Sequence, residues 1–227
     1  MIAGVIGLTA IAAVLSVYIA TVRHANDQLG SAHLQHQLDS LLYLMTTDIR
    51  RAGFWQFDPA VDAVTANPFT TVENRIRIGS PDDTSTGPCL LFSYDLDKDG
   101  RLGIGNCQRP DCADTPDTDT DNVEQFGFRL REGRVQSRYG GRVFSCDTGY
   151  WQTLNATDIE ITELTFSLLN RCINLDQTRE PCDGSGPELL RQATSIKLSG
   201  QRADQPETGT VRERWIQIRN DIMEDRR

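Results

Sequence analysis

No charged residue occurs between Met1 and Val22, and no proline before Pro59. The first absence removes the basic segment that precedes the apolar core of a cleaved export signal. The second leaves nothing to break a helix before Gly53. The six cysteines, at 89, 107, 112, 146, 172 and 182, form no C-x-x-C or C-x-x-H pair, which argues against zinc. There is no G-x-S-x-G elbow to position a nucleophile. No Lys-Ser/Thr or helix follows Gly103-Ile104-Gly105, so it is not a phosphate loop. Lys and Arg total 23 against 32 Asp and Glu, a net charge of −9, which disfavours nucleic acid because phosphate binding needs a cationic surplus on one face. Among the 3 histidines, His33 and His36 stand three apart near Asp39, a spacing that reads as a solvated helix face rather than a metal pair. No catalytic constellation emerges, and the chain reads as a non-enzyme.

What is present begins with the apolar run. A bilayer-spanning helix needs roughly 20 apolar residues, and Met1–Val22 supplies them, with Gly4, Gly7 and several alanines offering a small-residue face. Leu34, Leu38, Leu41, Leu42, Met45, Ile49 and Ala52 then recur at spacings of three and four, one apolar stripe on an amphipathic helix. Gly30 is an expected weak point and Gly53 the expected stop. The expectation is one helix about 75 Å long at 1.5 Å per residue, its first half for lipid or other apolar helices, its second for a globular domain.

After Gly53 the period changes to two. Pro88–Tyr94 reads as a buried strand, and Phe126–Leu130 with Arg134–Arg138 as a hairpin around Arg131-Glu132-Gly133. Ile159–Leu168, Ser195–Leu198 and Arg214–Ile218 also alternate. The fold class expected is α+β: a long N-terminal helix packed on one C-terminal antiparallel sheet. Its divisions are 1–22 as the transmembrane half, 23–53 as the amphipathic half, and 54–227 as a disulfide-containing sheet domain. Phe54 and Trp55, just past the helix, are expected to pack between helix and sheet.

Two motifs suggest chemistry. Asp95, Asp97 and Asp99, followed by Gly100, have the D-x-D-x-D-G spacing in which alternate carboxylates converge on a hard cation such as Ca2+. The twelfth position, where a helix-loop-helix calcium site needs Glu, is Asn106, and the flanks read as strands, so a solvated turn is the rival. The acidic stretch Asp111–Asp121 could add ligands. The even cysteine count behind an apolar N-terminus indicates disulfides formed in an oxidising compartment. Cys172 and Cys182 bracket a polar loop, and Cys107 and Cys112 flank a short turn, which leaves Cys89 for Cys146; a Cys89–Cys107 pair across a hairpin remains open.

Leu44–Trp55 (LMTTDIRRAGFW), Cys89–Asp95 (CLLFSYD), Gln125–Leu130 (QFGFRL) and Val211–Asn220 (VRERWIQIRN) occur in the order seen in type IV pilins. The chain resembles minor pilins of the PilW type over most of its length. That resemblance implies a structural subunit held by one helix in the bacterial inner membrane, with its C-terminal domain in the periplasm, and later packed in a pilus, at its tip. It implies a part in initiating pilus assembly, and so in adhesion and twitching motility. Implied partners are other minor pilins, the major pilin, the inner-membrane assembly platform and a tip adhesin. The family's basic leader, cleavage site and early Glu are not seen; MIAGVIGL resembles the stretch just after that Glu, so leader cleavage and N-methylation are expected on a longer precursor. A minor pseudopilin of a type II secretion system shares the architecture. A membrane-tethered periplasmic calcium- or ligand-binding module is the reading from a different class.

Overall fold

The computed structural model describes residues 2–57, 64–79, 86–103, 123–176, 182 and 186–226, with side chains at 3, 5, 6, 8, 9, 64, 225 and 226 left aside. One helix, α1 (Ile2–Ile49), opens the chain. Among the described residues it is followed by a 3-10 turn at Val64–Ala66 and ten strands. These are β1 (Arg77–Ile78), β2 (Thr86–Gly87), β3 (Cys89–Ser93), β4 (Gln125–Arg131), β5 (Arg134–Gly140), β6 (Tyr150–Thr153), β7 (Ile159–Asn174), β8 (Gly186–Arg202), β9 (Gln205–Gln217) and β10 (Ile222–Arg226).

The arrangement is α+β and pilin-like, as expected, but the strands form two sheets rather than one. The first runs β1-β3-β4-β5-β6; the second runs β10-β8-β7-β2, with β9 also paired to β8, and all pairings are antiparallel. Helix α1 lies on β8 and β9, and β7 also contacts β1, β3, β4 and β5 of the first sheet, so one core is shared by three layers.

All seven residues of the helical stripe, Leu34 to Ala52, are buried. They meet Ile161, Leu164, Phe166, Ile196, Leu198 and Ile216 from the second sheet and Phe92, Phe128 and Val135 from the first. Gly30 does not interrupt the helix. A side chain there would overlap the Arg202 guanidinium, which is itself held by Asp204 at 2.6 Å and Gln205 at 3.2 Å.

The helix ends at Ile49, four residues before Gly53, and the chain unwinds through a turn. Gly53 has φ +73°, a left-handed conformation that suits glycine after a helix. The orphan carbonyls at the exit are satisfied by side chains: Asn220 Nδ2 donates to Arg51 O at 3.3 Å and Ala52 O at 3.0 Å, and Asn67 Nδ2 donates to Gly53 O at 2.9 Å. The first-sheet hairpin also differs from expectation. Arg131 pairs with Arg134, so only Glu132 and Gly133 form the loop, with φ 52° and 70°. Two positive φ values are what a two-residue turn matched to strand twist requires.

Candidate functional site

Two features follow from this architecture: the open half of α1 and the acidic turn beside its exit.

Ile11, Val14, Leu15, Val17, Tyr18 and Ile19 are all exposed, Val14 at 69%. Among the described residues no helix is long and apolar enough to cross a membrane. The expectation of a span over Met1–Val22 rests in part on residues outside that description.

The acidic turn follows β3. Gly53 N–H donates to Ser93 O at 2.8 Å, and Asp95 N–H donates to Phe54 O at 2.9 Å, so the segment beyond the helix exit is zipped to the end of β3 and the start of the turn. Asp95 is buried. Its carboxylate accepts from the backbone N–H of Gln56 at 2.9 Å, Lys98 at 2.6 Å and Gly100 at 3.1 Å. Asp97 accepts from Asp99 N–H at 3.1 Å, and Asp99 from Arg101 N–H at 2.8 Å. Gly100 has φ +77° and lies under Trp55, whose Nε1–H donates to Gly100 O at 2.9 Å. Phe54 packs against the core, whereas Trp55 faces the acidic turn and stacks edge-on with Phe57.

One carboxylate oxygen from each of Asp95, Asp97 and Asp99 lies within 4.8 Å of the others. Oxygens 2.3–2.6 Å from one Ca2+ can stand about that far apart, so the three can share a hard cation. Burial pushes the Asp97 carboxyl up, and the nearby Asp99 and Asp95 charges add to this. Asn106 and the Asp111–Asp121 stretch lie outside the described residues.

Glu124 belongs to the same unit and carries no motif that would mark it in the sequence. It is buried, and accepts from Leu96 N–H at 2.8 Å and Gly103 N–H at 2.9 Å. Burial pushes its carboxyl up to about 7; the two N–H bonds oppose this, and Asp97 and Asp95 reinforce it.

The remaining candidates are placed as follows. His33 pairs with Asp158 at 3.1 Å and Asp39 with Arg212 at 3.1 Å, while His36 is exposed, so these three do not converge. Cys89 is bonded to Cys146 and Cys172 to Cys182. The first ties β3 to the loop before β6; the second joins β7 to the segment before β8. Cys107 and Cys112 lie outside the described residues.

A long helix, half buried on antiparallel sheets and half bare, defines a pilin-like subunit. The profile of PpdB, prepilin peptidase-dependent protein B, matches residues 27–218, and the chain belongs to that family. This places it among pilin-related proteins of the cell envelope. An uncharacterized protein of Haemophilus influenzae is 26% identical over 107 residues, covering 46% of this chain and 45% of that protein. The chain thus spans under half the length of this curated relative. No solved structure matches.

Proposed function

We infer that the protein is a minor pilin of the PilW type, a structural, non-enzymatic subunit that helps initiate a type IV pilus. The observation that carries this is the division of α1: one half buried by its own sheets, the other apolar and uncovered. Exposed apolar surface on this scale is stable only in lipid or against other apolar helices. In this reading residues 1–22 are the membrane half, 23–53 the amphipathic half and 54–227 the displayed domain. The chain waits in the inner membrane with its sheet domain in the periplasm, and leaves only when partner helices cover the apolar half. Its partners are other minor pilins, the major pilin, the assembly platform and a tip adhesin. A pseudopilin of a type II secretion system would use the same division of the helix.

The test is disulfide or photo-crosslinking from Val14→Cys and Tyr18→Cys in native membranes. Adducts with the N-terminal helices of pilus subunits are expected. Adducts only with secretion-system subunits would replace the pilus reading with the pseudopilin one. If neither position yields a protein adduct while the chain stays membrane-bound, α1 is a tether and the packing mechanism is wrong.

The convergence of Asp95, Asp97 and Asp99 within 4.8 Å favours a second property, a structural Ca2+ that stiffens the turn beneath Trp55. Ca2+ would then raise the unfolding midpoint of the wild type and not of Asp97→Asn. An equal response in both would end this assignment.

A further inference from the structure

The first sheet has an unusual outer face. Strand alternation sends Phe128 and Val135 into the core, and so turns Arg129, Arg131 and Arg134 outward. Arg129 stands across from Cys89 on one side and Gln136 on the other. Arg131 stands directly across from Arg134. In a chain of net charge −9 this face gathers three cations: Arg131 is exposed, Arg134 half-buried, and Arg129 buried against Trp151.

Their partners do not neutralise them. Arg129 Nε donates to Gln136 Oε1 at 2.8 Å, its Nη1 to the Cys146 carbonyl, and its guanidinium lies 4.1 Å from the Trp151 ring centroid. Arg134 donates to the carbonyls of Ala156 at 2.6 Å and Thr157 at 3.3 Å. Among the described residues, none of the three forms a salt bridge. Arg131 is exposed. Like charges directly opposed on a sheet repel, so the free protein holds Arg131 and Arg134 together at a cost. Burial, and then the nearby Arg131 charge, push the Arg129 pKa down.

Beside these arginines runs a cleft of about 470 Å³. Pro88, Leu130 and the Cys89–Cys146 bridge give it an apolar wall, and among the described residues Asp147 is the one acid that lines it. Cations in excess around an apolar slot complement a ligand that carries both carboxylates and apolar side chains.

We propose that this face is a docking site for an acidic polypeptide segment of another envelope protein, with the exposed Arg131 receiving its carboxylates, the buried Arg129 charge reinforcing the positive potential behind the cleft, and the cleft taking its apolar side chains. A nucleic acid fits less well. The cluster is compact rather than a stripe, the Trp151 face is already taken by Arg129, which removes a stacking platform, and the remaining acidic surface repels a long polyanion. The site is independent of what α1 packs against.

The test uses the full chain in neutral detergent and a fluorescent peptide alternating aspartate and leucine, with a thymidine oligonucleotide of equal length as the rival probe. Peptide binding at near-physiological salt is expected. Arg131→Glu should weaken it about tenfold or more, since it replaces attraction by repulsion at the rim. The same variant should fold at least as well as wild type, because it turns the repulsive Arg131–Arg134 pair into an attractive one, so lost binding cannot be blamed on unfolding. Asp147→Asn should tighten binding about two- to threefold by removing the competing acid. Arg131→Gln serves as a check, with an intermediate loss. The proposal fails if wild type does not bind the peptide, if Arg131→Glu binds it equally, or if the oligonucleotide binds more tightly.

Discussion

The two halves of α1 have similar apolar side chains and opposite fates. From Leu34 to Ile49 the leucines, methionine and isoleucine of one face are almost wholly buried; from Ile11 to Ile19 their counterparts lie open. Helix propensity does not distinguish them. The difference is what the topology places opposite: β8 and β9 pack on α1, where its second half is buried, while among the described residues the first half stays exposed. Each buried side chain of this size contributes about 1.5–3 kcal/mol. The first half holds the same stabilisation in reserve for whatever covers it later.

The comparison breaks most sharply by substitution on the two halves. Leu38→Ala removes a fully buried side chain facing Gly200 and Ile161, and should cost about 2–5 kcal/mol. Val14→Ala should change the stability of the sheet domain by less than about 0.5 kcal/mol. Denaturant unfolding of the full chain in detergent measures both. Similar losses would mean that the first half is covered within the monomer after all.

The next largest effect concerns the surroundings of the open half. Val14→Asp should oppose insertion by about 2.5–3.5 kcal/mol if the residue lies near the middle of a bilayer. The variant should be extracted from membranes by alkaline carbonate while wild type is retained, and the unfolding midpoint of the sheet domain should stay put. Retention of the variant would place Val14 outside the hydrocarbon layer.

Sequence periodicity was a good guide to the helix and a partial one to the sheets. The stripe from Leu34 to Ala52 was readable because each of its residues meets a core layer, so apolar spacing and burial coincide. The strand at Pro88–Tyr94 was readable for the opposite reason: β3 is buried on both faces, which makes it a continuous apolar run. Much of β8 and β9 was missed. Gly186–Thr194 is a polar extension of a long hairpin stiffened by pairing to β7, and β9 is mostly exposed, so neither stretch alternates strongly. The division into two sheets depends on long-range partner choice, which no local window contains. The acidic turn was visible through its D-x-D-x-D-G spacing, but Glu124 reaches it from another strand end and left no local mark. The Arg129–Arg131–Arg134 face was hidden by the overall charge, because pairing register, not composition, gathers those side chains.

A smaller effect tests where the buried half ends. Asn220→Ala deletes the donors to Arg51 O and Ala52 O at the helix exit, one of them part-buried. The loss should be about 1 kcal/mol, near the value of a typical buried hydrogen bond. Hydrogen exchange should quicken at 50–53 and leave 10–22 unchanged. Quickening along the first half as well would show the two halves to be coupled.

The smallest effect is a change of slope with pH. The exit of α1 is zipped to the acidic turn, and Glu124 bonds that turn at Leu96 and Gly103. Its carboxyl is pushed from an ordinary 4.5 up to about 7, so between those values the folded chain binds more protons than the unfolded one. Stability from this group is therefore full below about pH 4.5 and is lost as pH rises through about 7. Asp48 and Asp97, also raised by burial, act in the same sense, while Glu163, held low by its bond from Lys197, acts against them. Glu124→Gln removes the titrating proton at every pH, but its Nε2 cannot accept the backbone N–H that the second carboxylate oxygen takes. It should be less stable than wild type in acid, where the lost acceptor shows, and leave a shallower slope of the same sign. Thermal melts across that range measure it. Because the buried half of α1 ends on this turn and the open half does not, the slope should appear in the unfolding of the sheet domain and be absent from membrane extraction; a slope in both would mean that protonation at the turn reaches the whole helix.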